Sequence, residues 1–304
     1  MSIPDFQSLM LPLLKFASDG REHSLAEARE HLAEAFSLSD EDRREYLPSG
    51  RQRRFDNRVA WAKVYLGQAL LLESPRRAHF AITDRGRSLL KEAPEKITIS
   101  FLERYDDFRA FRGGTRNQNG TTESTENQEE AVATPEETLE TAYLKIRNEL
   151  ASELLDRIKA SAPSFFENLV VELLLKMGYG GSRSEAGETI GRTGDEGIDG
   201  IISEDRLGLD LIYIQAKRWE GTVGRPEIQK FVGALHGKRA RKGVFITTGV
   251  FSKEAREYVA HIDPRVVLID GCSLSEYMID FGLGVTTRQT YELKRIDSDY
   301  FVEE

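Results

Sequence analysis

Asp199 is followed sixteen positions later by Gln215-Ala216-Lys217. A carboxylate, an amide carbonyl and a lysine are what a Mg2+-dependent phosphodiester cleavage centre requires: hard oxygen donors for the cation and a positive charge for the phosphate. In that reading Asp199 and Gln215 bind the metal, Gln215 through its amide oxygen, and the Ala216 backbone carbonyl supplies a further ligand. Lys217 then lies beside the attacking water. The plain alternative is that Gln215 and Lys217 line a solvated strand edge while Asp199 caps a glycine turn, and as a bare pattern the spacing favours it. The context pulls the other way: glycines crowd Asp199, and Arg218-Trp219 follows Lys217 at once.

Such residues need a sheet to hold them. Along Leu211–Lys217, Tyr213, Gln215 and Lys217 share one strand face while Ile212, Ile214 and Ala216 share the other. Gly194 to Ile202 reads as a short neighbouring strand. Helical periodicity precedes it over Leu139–Ile158 and Ser164–Met177; after it come a helix over 225–236, a strand over 243–248, a helix over 252–261, a strand over 266–270 and a helix over 273–281. Short apolar strands alternating with helices predict a mixed sheet between helices, the α/β class. Glu167 has two local readings: the acid of a Ser164-x-x-Glu167 capping box, or an acid at the site. Asp195 stands as a possible second metal-shell residue. Cys272 is expected to be an inert core thiol.

The N-terminal part predicts three helices and a hairpin. Phe6, Leu9, Met10, Leu13 and Leu14 stripe the first helix; Ser24-Leu25-Ala26-Glu27 opens the second as a capping box; Arg54 to Leu71 forms the third. A strand over 78–82 and a last helix from Thr83 follow. This order describes a winged helix-turn-helix. Arg51, Arg53, Arg54, Arg58 and Lys63 gather at the third helix with Asn57, a residue type that reads adenine edges. Arg76 and Arg77 would sit at the wing tip, suited to phosphate. Glu45 and Asp56 interleave, as on any charged helix face, but the helix-turn-helix order gives these charges a DNA-binding geometry. Lys238, Arg239, Arg241 and Lys242 either meet the DNA backbone or serve solubility.

At 304 residues the chain exceeds one typical domain. We expect a DNA-binding domain over 1–112, a flexible acidic linker over 113–138 and a catalytic domain over 139–304. The stretch from Gly113 to Glu130 has no apolar side chain and cannot offset its ordering entropy. The net charge of −9 is unevenly spread: +1 over 1–112, −6 over 113–140 and −4 over 141–304. A local basic surface therefore remains compatible with the total. The single cysteine excludes an internal disulfide and, with no signal peptide or apolar run of membrane-spanning length, predicts a cytoplasmic protein without membrane contact.

The chain resembles the Mrr-type modification-dependent (type IV) restriction endonucleases. The carrying stretches are Ser164-Phe165-Phe166-Glu167, Gly191 to Gly200, Tyr213 to Trp219, Val223-Gly224-Arg225-Pro226-Glu227 and Gly243 to Thr248. The resemblance implies a PD-(D/E)xK nuclease fold with glutamine at the usual acidic position, Mg2+ dependence, and double-stranded DNA carrying methylated bases as substrate. It maps Asp199, Gln215 and Lys217 onto the catalytic triad and Glu167 onto the helix glutamate that supports metal binding. Cutting both strands needs two centres, so a homo-oligomer, dimer or tetramer, is expected. Other classes remain open: a non-cutting DNA-binding regulator or repair factor, and a nuclease for branched or single-stranded DNA.

Overall fold

The computed structural model describes residues 3–76, 78–113, 133–180, 197–205, 207–294 and 296. Arg77, Asp195, Glu196 and most of the expected linker lie outside the described residues. The chain divides into two compact units, one holding residues up to Leu144, the other Lys145–Leu293. The division falls inside a helix and not at residue 139.

In the first unit, helix α1 (Phe6–Phe16) is capped by Asp5, whose carboxylate accepts the Ser8 amide at 2.9 Å and hydroxyl at 2.6 Å. Its apolar stripe meets α2 (Leu25–Ala35) and α4 (Arg54–Gln68) in one core with Leu32, Phe55, Val59 and Leu66. The expected Ser24–Glu27 capping box opens α2. The polar excursion after it forms a short helix of its own, α3 (Asp40–Arg44), closed by a second box between Ser39 and Asp42. Strands β2 (Leu72–Glu73) and β3 (His79–Ile82) form the expected antiparallel hairpin. An unexpected two-residue strand β1 (His23–Ser24) pairs with β3 on its other side, giving the order β1-β3-β2. Helices α5 (Asp84–Lys91), α6 (Ile99–Leu102) and α7 (Asp106–Gly113) follow.

Helix α8 (Pro135–Ala160) begins before the expected Leu139. Thr134 and Glu137 cap one another, the Glu137 amide donating to the Thr134 hydroxyl at 3.2 Å and the Thr134 amide to the Glu137 carboxylate at 2.9 Å. With proline in the first helical position, this is a strong start signal inside what composition alone marks as linker.

The second unit is an α/β/α sandwich. Its sheet has the order β4 (Gly200–Ser203), β5 (Leu211–Lys217), β7 (Lys242–Thr247), β9 (Arg265–Ile269). β4 is antiparallel to β5 and the other pairs are parallel, so the sheet is mixed. Helices α9 (Pro163–Lys176) and α12 (Gly271–Asp280) cover the face built by Ile212, Ile214, Val244 and Ile246. Helices α10 (Arg225–Gly237) and α11 (Lys253–Val259) cover the opposite face, where Phe231 meets Phe245 edge-on. A short parallel pair, β6 (Thr222–Val223) and β8 (Val250–Phe251), lies beside the sheet. Among the described residues no helix is long and apolar enough to cross a membrane.

Candidate active site

The site forms where one edge of β5 loses its strand partner. The parallel ladder with β7 runs on to Lys217, opposite Thr247, but the antiparallel ladder with β4 stops at Gly200, opposite Ile214. Asp199 takes up the position left beside Ala216. Its Oδ2 accepts the Ala216 amide at 2.8 Å and the Gln215 Nε2 at 2.6 Å, while its own amide donates to the Ile214 carbonyl at 2.8 Å. The amide and carbonyl of a strand residue point to the same side. The Ala216 carbonyl therefore points past the end of β4, toward Asp199.

Asp199 Oδ1 accepts no hydrogen bond among the described residues. Together with the Ala216 carbonyl, and with the Gln215 amide once its oxygen is turned toward them, it would make an all-oxygen donor set suited to a hard divalent cation. One detail differs from expectation. Gln215 presents its amide nitrogen to Asp199, and Oε1 is directed toward Gly197. A half turn of the amide exchanges the two ends. Among the described residues no group of three or more His, Cys, Asp or Glu gathers, because only Asp199 contributes a carboxylate beside Gln215 and Ala216.

Glu167 approaches from the other sheet face. Helix α9 is capped at Ala162 without a side-chain bond and has Pro163 in its first turn, so Ser164 lies inside the helix and the capping-box reading falls. A Cβ on Gly200 would stand 3.8 Å from Val171, and the Gly180 amide donates to the Ser203 carbonyl at 2.8 Å. Helix and strand thus run in the same sense. One turn before Val171, about 5.4 Å along the axis, Glu167 stands toward the Asp199 end of β4. It is half-buried and makes no hydrogen bond or ion pair among the described residues.

Lys217 is held by two neighbours that sequence reasoning did not assign. Its ammonium contacts the carboxylate of Glu227, in the first turn of α10, and lies 4.3 Å from the ring centroid of Trp219. Glu227 also accepts Lys230 at 2.8 Å. Hydrogen bonds from Lys217, then Lys230, hold the Glu227 carboxyl below the ordinary glutamate value. The turn carrying Trp219 is fixed to the end of β7: Thr248 Oγ1 accepts the Trp219 amide and donates to its carbonyl, both at 2.9 Å. Arg218 donates to the carbonyls of Lys159 and Ser161, so its guanidinium braces the turn.

Residues 158–278 match the restriction endonuclease family Mrr_cat, and residues 6–92 match the Mrr N-terminal domain. The type IV methyl-directed restriction enzyme EcoKMrr of Escherichia coli (strain K12) is 35% identical over 311 aligned residues, covering 99% of this chain and all of that protein. The chain belongs to the Mrr family of restriction endonucleases. Among solved structures, the modification-dependent restriction endonuclease AspBHI aligns with a TM-score of 0.33 at 17% identity, over 70% of this chain and 56% of that one. The MspJI restriction endonuclease with a 27-mer oligonucleotide aligns at 0.27 and 20% identity, over 65% and 42%. The Mrr assignment makes the chain a DNA endonuclease whose catalytic unit is the mixed-sheet nuclease fold described above.

The expected DNA-binding residues of this Mrr chain are dispersed. Arg51 is exposed; Arg53 is exposed and bonded to Tyr46, which raises its pKa. Arg76 is exposed and pairs with Glu22 at 2.5 Å. Burial lowers the pKa of Lys63, which is only partly accessible to phosphate. Asn57 is corrected outright: it is 1% exposed, donating to Gln52 at 3.2 Å and accepting from Thr134 at 2.5 Å. Arg58 is part-buried and bonded to Glu137 at 3.0 Å and to the carbonyls of Ile3 and Pro4. Arg54 pairs with Glu45 and, at 3.5 Å, with Glu137. The physical cause is the start of α8, whose acids dock on α4: Glu136 accepts the Trp61 indole, and Glu140 accepts the Ser49 amide and hydroxyl. In the second unit, Lys242 is taken up by Glu204 and Asp210. Cys272 is also corrected: it is an exposed free thiol on the first turn of α12, its pKa raised by partial burial and by Glu276 and Asp270.

Proposed function

We propose that this Mrr protein is a Mg2+-dependent, PD-(D/E)xK-type endonuclease that cleaves methylated double-stranded DNA, with Asp199, Gln215, Lys217 and Glu167 as its catalytic residues. The observation that carries the reading is the convergence at the open edge of β5. A carboxylate oxygen that accepts no hydrogen bond among the described residues, an amide and a strand carbonyl meet there, with the lysine ammonium of Lys217 two residues after Gln215. Asp199, Gln215 and the Ala216 carbonyl would hold the cation, which when bound supplies Lewis-acid polarisation of the phosphate and a more acidic water. Asp199 orients Gln215 and the β5 backbone through its Oδ2. Lys217 sets a positive charge where the phosphate's negative charge grows in the transition state, a contribution strongest in a preorganised site. Glu167 supports the site from the α9 side.

The N-terminal unit would anchor DNA as a winged helix-turn-helix, using its exposed cations Arg51, Arg53 and Arg76. The likeness to a methyl-directed relative over its whole length supports methylated DNA as the substrate. With one centre per chain, double-strand cleavage calls for a homo-oligomer. We place the protein in the cytoplasm, where the exposed Cys272 thiol stays reduced.

The test is cleavage of methylated and unmethylated plasmids by purified full-length protein, with Mg2+ or with chelator. Wild type should cut only methylated plasmid and only with Mg2+, while Lys217→Ala should cut neither and still bind. Equal cutting of both plasmids removes the methylation dependence. Binding without nicking by wild type favours a non-cutting DNA-binding protein.

A further inference from the structure

Two carboxylates flank the end of β5, and Lys217 is paired with the one that does not belong to the expected metal set. Its ammonium contacts Glu227 on α10, whereas Asp199 spends Oδ2 on Gln215 and Ala216 and keeps Oδ1 open. A lysine has a long flexible stem and a point charge that pairs with whichever anion is offered. On this strand face Asp199 is the competing anion, bonded to Gln215 two positions from Lys217. An ammonium on Asp199 would occupy the oxygen that a cation needs.

We propose that Glu227 is the positioning residue of the site: with the Trp219 ring as a second neighbour, it draws the Lys217 ammonium away from Asp199, so that the carboxylate and the ammonium stay separately available. Both neighbours are fixed independently of the lysine. Glu227 lies in the first turn of α10, where the helix dipole favours an anion and Ile228 and Phe231 anchor the helix in the core. Trp219 is tied to Thr248 at both backbone atoms. Glu227 touches neither substrate nor metal in this scheme and acts through Lys217.

The inference rests on the nuclease reading, and the experiment separates the two. Full-length wild type, Glu227→Gln, Glu227→Asp and the double variant Glu227→Gln/Lys217→Met are compared in plasmid cleavage and in binding of Mn2+ alone, followed by electron paramagnetic resonance. Glu227→Gln should lower kcat by about 10- to 100-fold, the range for groups that support a ligand set. Its KM should stay near wild type, because the loss lies in the chemical step. Glu227→Asp should recover most of that loss. In Glu227→Gln, Mn2+ binding should weaken as the ammonium turns to Asp199, and adding Lys217→Met should restore it. A merely structural role predicts no such restoration. If wild type cuts DNA and Glu227→Gln cuts equally well, the positioning role is overturned and the nuclease reading stands. Mn2+ binding that stays weak in the double variant also overturns it. If wild type cuts no DNA, the nuclease reading falls and this inference with it.

Discussion

At the scale of single residues, the turn that carries Trp219 tolerates little change. A Cβ on Gly249 would collide with the Gly221 carbonyl and stand 3.0 Å from the Trp219 carbonyl. Neither atom belongs to a flexible side chain, so the backbone itself must shift. Gly249→Ala is expected to destabilise the protein by about 1–3 kcal/mol, the usual cost of overpacking. Thermal denaturation checks this, and an unchanged Tm would show that the turn yields easily. Because Thr248 and Gly249 hold the turn that carries Trp219, cleavage should fall in the same variant. The facing of Gln215 and Lys217 was legible in the sequence, since strand alternation is local and strong. The burial of Asn57 was not: its partner Thr134 lies 77 positions away and belongs to a segment whose composition reads as linker. The contact of Glu227 with Lys217 was not legible either, because a first-turn glutamate ordinarily complements a helix dipole and nothing local distinguishes one that also meets a lysine on a strand.

At the scale of elements, caps were the most reliable signals where the fold obeyed them. The Ser24–Glu27 box and the core stripe of α1 stand as the sequence indicates, and the boxes at Ser39 and Thr134 carry the same pattern in segments whose polarity hid them. Ser164-x-x-Glu167 shows the limit: Pro163 starts α9 earlier and moves Ser164 into the helix. Two-residue strands such as β1 have no pattern of their own and exist only through pairing with β3. The Asp5 cap gives a prediction with a definite sign. Burial opposes its charged form, but the Ser8 hydroxyl and amide outweigh burial and hold the carboxyl below its ordinary value of 3.8. Its stabilisation is therefore complete above that value and lost as pH falls through the lowered one. Asp5→Ala should cost about 1 kcal/mol near neutral pH, and the gap in denaturation free energy should close in acid. A gap constant down to pH 2 would mean the carboxylate charge contributes nothing.

At the scale of the whole molecule, the formal charge of −9 hides opposed regions, and the sequence alone overstated how much of the positive charge is presented outward. Arg54 and Arg58 are already matched to Glu45 and Glu137, and Arg76 is matched to Glu22. A cation that binds a phosphate gains largely by releasing ions condensed on the polyanion, contributing about 0.9 to the slope of log affinity against log salt concentration. An arginine neutralised from within the protein releases none. The salt dependence of DNA binding, measured by anisotropy of a labelled duplex, should therefore count fewer ions than the arginines of α4 and the hairpin would supply. Glu137→Gln should steepen that slope by about one unit at most, because it removes one negative charge while Glu45 stays matched to Arg54; an unaltered slope would place Arg54 and Arg58 outside the contact. If the N-terminal unit anchors DNA as proposed, the acids that open α8 set the effective valence with which it meets a polyelectrolyte.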